Sequence, residues 1–108
     1  MLTIQGKLAD LAHGRSGDKG NHANIAVIAY TQVGYEWLLA NLTAQRVQEY
    51  FASLTPSAVE RYRVPNLLAV NFVLKDVLAG GASRSLRSDT QGKSLALALL
   101  QMPIELPA

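Results

Sequence analysis

The chain contains no cysteine, which excludes disulfides, zinc–thiolate and iron–sulfur centres and a thiol nucleophile. Long apolar runs are missing too. No window approaches the ~20 residues of a membrane-spanning helix, and the N-terminus, MLTIQGKLADLAHGRS, lacks a basic segment followed by an apolar core. A soluble, cytoplasmic protein without a membrane partner is the expectation. Charge is scarce, at 17% of residues, and nearly balanced, with ten Lys and Arg against eight Asp and Glu. Aromatics make up 6% and do not interleave with the basic residues, so nucleic-acid binding is not expected. Histidine is limited to His13 and His22, with no carboxylate at ligand spacing. Neither a metal nor a cofactor is therefore expected.

What is present is a 49% hydrophobic chain of 108 residues. That length suits one domain spanning residues 1–108, able to bury roughly 65% of its unfolded surface. Residues 4–13, IQGKLADLAH, mix apolar and polar positions as a half-buried strand does. Ala23 to Tyr30, ANIAVIAY, is a short branched apolar run that reads as a central strand. Tyr35 to Leu42 reads as a helix, and Thr43 as the cap of a second one that stacks Val47, Tyr50, Phe51 and Leu54. Val59 to Val64 alternates charged Glu60, Arg61 and Arg63 with Val59, Tyr62 and Val64, the pattern of an edge strand, and Pro65 and Asn66 turn the chain.

From Leu68 to Ala79 the spacing of Val70, Val73, Leu74, Val77 and Leu78 predicts a helix stopped by Gly80 and Gly81, with a strand as the alternative for its first half. Ser83 to Leu86 suits a short strand. Lys93 to Gln101 predicts a final helix with Leu95, Ala98, Leu99 and Met102 on one stripe, covered by the core or by a partner. Strands and helices do not follow a regular βαβ series. The expectation is an α+β fold with helices on one face of a small, mainly antiparallel sheet.

Chemistry concentrates in two stretches, AHGRSGDKGNHAN (12–24) and ASRSLRSDTQGK (82–93), which hold five of the ten basic residues: Arg15, Lys19, Arg84, Arg87 and Lys93. Read as a loop, residues 13–24 place Gly14, Gly17 and Gly20 where backbone N–H groups can cradle an anion, with Ser16 and Lys19 adding a hydroxyl and a charge. The spacing fits neither a nucleotide-hydrolase phosphate loop nor a dinucleotide fingerprint. Gly14-Arg15-Ser16-Gly17 is not a nucleophile elbow either. The competing reading is a solvated turn in which Asp18 and Asn21 bond their own backbone. Arg84, Ser85, Arg87 and Lys93 form a second anion-binding wall, or else a solvated loop with Asp89 capping the last helix. Asp18 and His13 are the acid/base candidates, and Asn71 needs polar partners if buried.

RSGDKGNHANIAVIA, RYRVPNLLAVNFVL and GGASRSLRSDTQGKSLALALL together resemble the small AtuA-like domain of acyclic-terpene-utilisation proteins, over about Leu8 to Met102. Positions matching that pattern include Arg15, Ser16, Gly17, Asp18, Lys19, Gly20, Asn24, Asn71, Arg84, Ser85 and Lys93, whereas His22 stands where a small residue is expected. The resemblance implies a ferredoxin-like α+β fold and an association with terpenoid and acyl-CoA catabolism. It implies a large AtuA-type chain as partner, or a homo-oligomer, and an acyl-CoA or other anionic small molecule as ligand. It carries over no catalytic residue. Three roles are therefore open: an accessory or ligand-binding subunit, an enzyme of thioester hydratase or hydrolase type completed by a partner chain, and a structural oligomerisation module.

Overall fold

The computed structural model describes residues 3–77 and 93–107. The strands are β1 (Thr3–Lys7), β2 (Ala12–Lys19), β3 (His22–Ala29), β4 (Ala58–Val64), β5 (Ala69–Lys75) and β6 (Pro103–Pro107). Between them lie helices α1 (Gln32–Asn41), α2 (Ala44–Tyr50) and α3 (Lys93–Leu100). Strands β2, β3, β5 and β4, in that order, form an antiparallel sheet, while β1 and β6 make a separate two-stranded ribbon. All three helices cover the same face of the larger sheet, α1 and α2 over β3 and β4 and α3 over β2. The expected α+β layering holds.

Each element has a local cause. β3 buries Ala23, Ile25, Val27 and Ala29 against the helices, a period of two that only an extended chain satisfies. Thr31 caps α1 by accepting the Gly34 N–H at 3.0 Å, and Thr43 caps α2 by accepting the Arg46 N–H at 3.0 Å, as expected of the latter. Tyr35, Leu38, Leu42, Val47 and Phe51 descend from these helices onto Val70, Phe72 and Leu74 of β5. From α3, Leu95, Ala96 and Leu99 complete the core, whereas Ala98 of the expected stripe is exposed and Leu97 is 65% exposed.

Three expectations change. The predicted helix from Leu68 is the central strand β5. Its run VNFVLK satisfies both periods, but Val70, Phe72 and Leu74 are fully buried while Asn71, Val73 and Lys75 are half-buried on the other side, and branched and aromatic side chains favour the pleat. The predicted strand over residues 4–13 is two strands, parted by a 3-10 turn at Leu8–Asp10 whose Asp10 carboxylate accepts the Lys7 N–H at 2.8 Å. Residues 13–24 are not a loop but most of a β-hairpin, in which Lys19 pairs with His22 across the turn residues Gly20 and Asn21. Among the described glycines only Gly20 has positive φ, 64°. A glycine at the first turn position with Asn21 in ordinary φ is the two-residue turn that matches strand twist. The Gly80–Gly81 stop and the Ser83–Leu86 strand lie outside the described residues.

β4 is an edge strand as expected, with its faces assigned. Val59, Arg61 and Arg63 alternate toward the helices, and Glu60, Tyr62 and Val64 toward the open face. Arg61 runs under the C-terminus of α1, where its Nη1 donates to Leu42 O at 3.0 Å and Leu39 O at 3.1 Å, with Leu38 O at 3.5 Å. Leu38 O already accepts the Leu42 N–H at 2.9 Å, but the helix end leaves Leu39 O and Leu42 O without intrahelical partners.

Candidate functional site

The helix-free face of the sheet carries the site. Strand register arranges it in cross-strand rows. The first holds His13, Ile28, Ala69 and Val64; the second Arg15, Ala26, Asn71 and Tyr62; the third Gly17, Asn24, Val73 and Glu60. A cavity of about 460 Å³ opens over the whole first row and over Arg15, Ala26 and Asn71 of the second, with Leu67 as its outer wall. Leu67 stands on the 3-10 turn Pro65–Leu67 and is 64% exposed. The floor is low because Ala26 and Ala69 sit at its centre, so the alanines define the hollow.

Polar groups enter from its edges. The Arg15 guanidinium is exposed and makes no hydrogen bond or ion pair with another described residue, and the Asn71 amide is half-buried without a described partner. His13 stacks on Tyr30 with ring centroids 5.3 Å apart, extending the rim with two aromatic faces. The result is one cation and one amide beside an apolar floor. Arginine at such a place suits a carboxylate or phosphate oxygen, which its fork meets bidentately.

The far end of the same face is built differently. Lys75 Nζ lies 3.2 Å from Glu60 Oε2, and the Tyr62 hydroxyl donates to Glu60 Oε1 at 2.6 Å. The Tyr62 hydroxyl, and then the Lys75 ammonium, hold the Glu60 carboxyl below its ordinary range, and the Glu60 carboxylate in turn pushes the Tyr62 hydroxyl up. His22 accepts the Asp76 backbone N–H at Nδ1, 3.1 Å away, which places its proton on Nε2, and Ser57 donates to the Asp76 carboxylate. His13 and His22 stand at opposite ends of the hairpin, about 20 Å apart at ~3.3 Å per residue, and share no site.

The structure therefore sorts the sequence candidates by face. Arg15, Asn71 and His13 meet at the cavity, with Gly17 and Asn24 one row beyond. Ser16 and Asp18 register with Ile25 and Ala23 on the helix-covered face. There the Ser16 Oγ accepts the Ala96 N–H at 3.3 Å, in the first turn of α3. Gly20 serves the hairpin turn. Lys19 and Lys93 are placed by backbone alone, ending β2 and opening α3, and Arg84, Ser85 and Arg87 lie outside the described residues. The backbone nest is absent from β2, since an extended strand sends successive N–H groups to opposite edges. Sequence reasoning missed Ala26, Ile28, Val64, Leu67, Ala69 and Tyr30. The signal for Ala26, Ile28 and Ala69 was their alternation with the core residues of β3 and β5.

The AtuA ferredoxin-like domain model matches residues 6–105, nearly the whole chain. No curated protein and no solved structure matches it. The match agrees with the antiparallel sheets, the three helices on one face and the motifs that carry the resemblance, and the chain belongs to the AtuA ferredoxin-like domain family.

Proposed function

We propose that this domain is an accessory, ligand-binding subunit of an AtuA-type catabolic assembly, and that its open sheet face holds an acyl compound by an anionic group and an apolar chain. The observation that carries the reading is the Arg15 guanidinium, without a partner among the described residues, beside the Asn71 amide at the edge of a hollow floored by Ala26, Ile28 and Ala69. A carboxylate, or a phosphate of an acyl-CoA, meets the arginine, while the acyl chain lies along Ile28, Val64 and Leu67. Apolar contact supplies most of the affinity at roughly 25 cal/mol per Å² covered, and the arginine sets orientation.

Isothermal titration with a branched medium-chain acyl-CoA, the corresponding free acid and CoA alone tests this. Binding of an acylated or carboxylate form, weakened at least about tenfold by Arg15→Ala and abolished by Ala26→Trp, is the expected result; a loss of 1.4 kcal/mol corresponds to tenfold. Equal binding by wild type and Arg15→Ala would refute it. One observation favours an enzymatic reading: His13 lines the cavity with its ring stacked on Tyr30, and a general acid or base must stand within reach of a bound acyl group. Turnover by the domain reconstituted with its large partner, lost in His13→Gln but with binding retained, would support that reading.

A further inference from the structure

We infer that the open sheet faces of two copies pack against each other about a two-fold axis parallel to the strands, so that Arg15 of each copy meets Glu60 and Tyr62 of the other. An antiparallel sheet with one wet face ordinarily presents polar side chains there. The first row of this one instead holds half-buried Ile28 and Val64 beside the buried Ala69, flanked by Tyr30 at 61% and Leu67 at 64% exposure. Seven residues along each of four strands give about 440 Å² of flat face per copy at ~3.3 Å rise and ~4.8 Å spacing. Two such faces make about 880 Å² of flat area before side-chain relief and the flanking Tyr30 and Leu67 are added, the size of a small interface at the low end of specific ones.

The rows choose the occupant and the axis. Rotation about an axis parallel to the strands lays each row on its own reverse. Ile28 then faces the partner's Ala69, and Val64 faces the partner's His13. Arg15 comes over the partner's Tyr62, next to the partner's Glu60 in the adjoining row. Arg15 of β2 thus approaches the partner's Glu60 of β4 twice, once in each direction, as an isologous contact requires, and joins the Lys75 that already lies 3.2 Å from that carboxylate in its own copy. An axis across the strands would press the apolar first row onto the charged end that carries His22 and Lys75, which is the costly arrangement. Two stacked sheets keep their strands within about 30° of each other, which preserves this register near the centre. The guanidinium has five donors, enough to meet the partner's Glu60 with one edge and a ligand with the other. In the pair the two hollows open toward each other.

The test reads mass without any ligand, so its outcome is separate from the binding reading. Wild type should run in light scattering or sedimentation at twice the 11.6 kDa chain mass. Arg15→Glu and Glu60→Arg should each lose the dimer, and so should Ile28→Asp, with circular dichroism confirming that each remains folded. Mixing Arg15→Glu with Glu60→Arg should restore it, because both 15–60 contacts in the mixed pair are then of opposite charge. A wild-type monomer at ~100 μM, where a specific homodimer is populated by mass action, would overturn the inference. So would a dimer that survives Ile28→Asp, or a mixture that stays monomeric.

Discussion

Arg61 tests how the helical layer is fixed to the sheet. Its guanidinium leaves the edge strand, passes to the covered side and binds the carbonyls that end α1, at 3.0 Å to Leu42 O and 3.1 Å to Leu39 O. A hydrogen bond to a charged group contributes about 1.5–3 kcal/mol net, and a cation at a helix C-terminus adds a further ~0.3–1 kcal/mol. The side chain is half-buried, so water reaches part of the freed carbonyls and recovers part of the loss. Arg61→Met keeps the apolar stem and should cost about 2 kcal/mol. For a domain of this size that lowers Tm by roughly 10 °C. Arg61→Lys should fall between, since one ammonium cannot span both carbonyls in a fork. Urea unfolding followed by circular dichroism, with calorimetry for Tm, measures both. A loss below about 0.5 kcal/mol for Arg61→Met would refute the claim that this contact anchors α1.

Two further outcomes follow from the hairpin and the open face. A Cβ on Gly14 would come within 2.8 Å of the Ala26 carbonyl oxygen, which is backbone and cannot swing away. Gly14→Val should therefore cost about 2–3 kcal/mol, whereas Gly17→Ala, which meets only the Asn24 side-chain oxygen at 3.2 Å, should cost under about 1 kcal/mol; urea midpoints compare them. The Glu60–Tyr62 bond should appear in stability against pH. Folding lowers the Glu60 pKa, so its contribution is complete above the ordinary 4.5 and is lost as pH falls through the depressed value. Folding raises the Tyr62 pKa, so that contribution is complete below 10.0 and is lost as pH rises through the raised value. Glu60→Gln should flatten both limbs, and a variant whose profile overlays the wild type would count against the contact.

The layered fold was legible where a residue pattern admitted one period. ANIAVIA could only be a strand, and Thr43 announced α2 because a hydroxyl before an apolar stripe satisfies the helix's free N–H groups. LLAVNFVLK admitted two periods, and tertiary pairing with β3 and β4 on both sides chose the strand. For Val59 to Val64 the alternation was visible but not its phase, which depends on where α1 ends. The candidate site was half legible. Arg15, Asn71 and His13 were selected for their chemistry and do converge, but strand geometry separates neighbours in sequence, sending Ser16 and Asp18 to the opposite face. The hollow itself could not be read, because it is made by small residues, and an alanine declares nothing about what surrounds it.

The β1–β6 ribbon ties Thr3 to Pro107 and Lys7 to Pro103, with nearly the whole chain between them. Its thermodynamic cost is modest, since each doubling of a closed loop adds only about 0.6 kcal/mol. Its consequence lies in time. On the ribosome, all four strands of the larger sheet are available once Lys75 has emerged, but α3, which covers β2, and β6, which completes the ribbon, emerge later. At ~5–20 residues per second the thirty or so residues from Lys75 to the end of β6 take about 2–6 s. For that interval the nascent domain carries an assembled sheet with the inner side of β2 bare and β1 unpaired, a state in which a chaperone or an assembly partner has its best access.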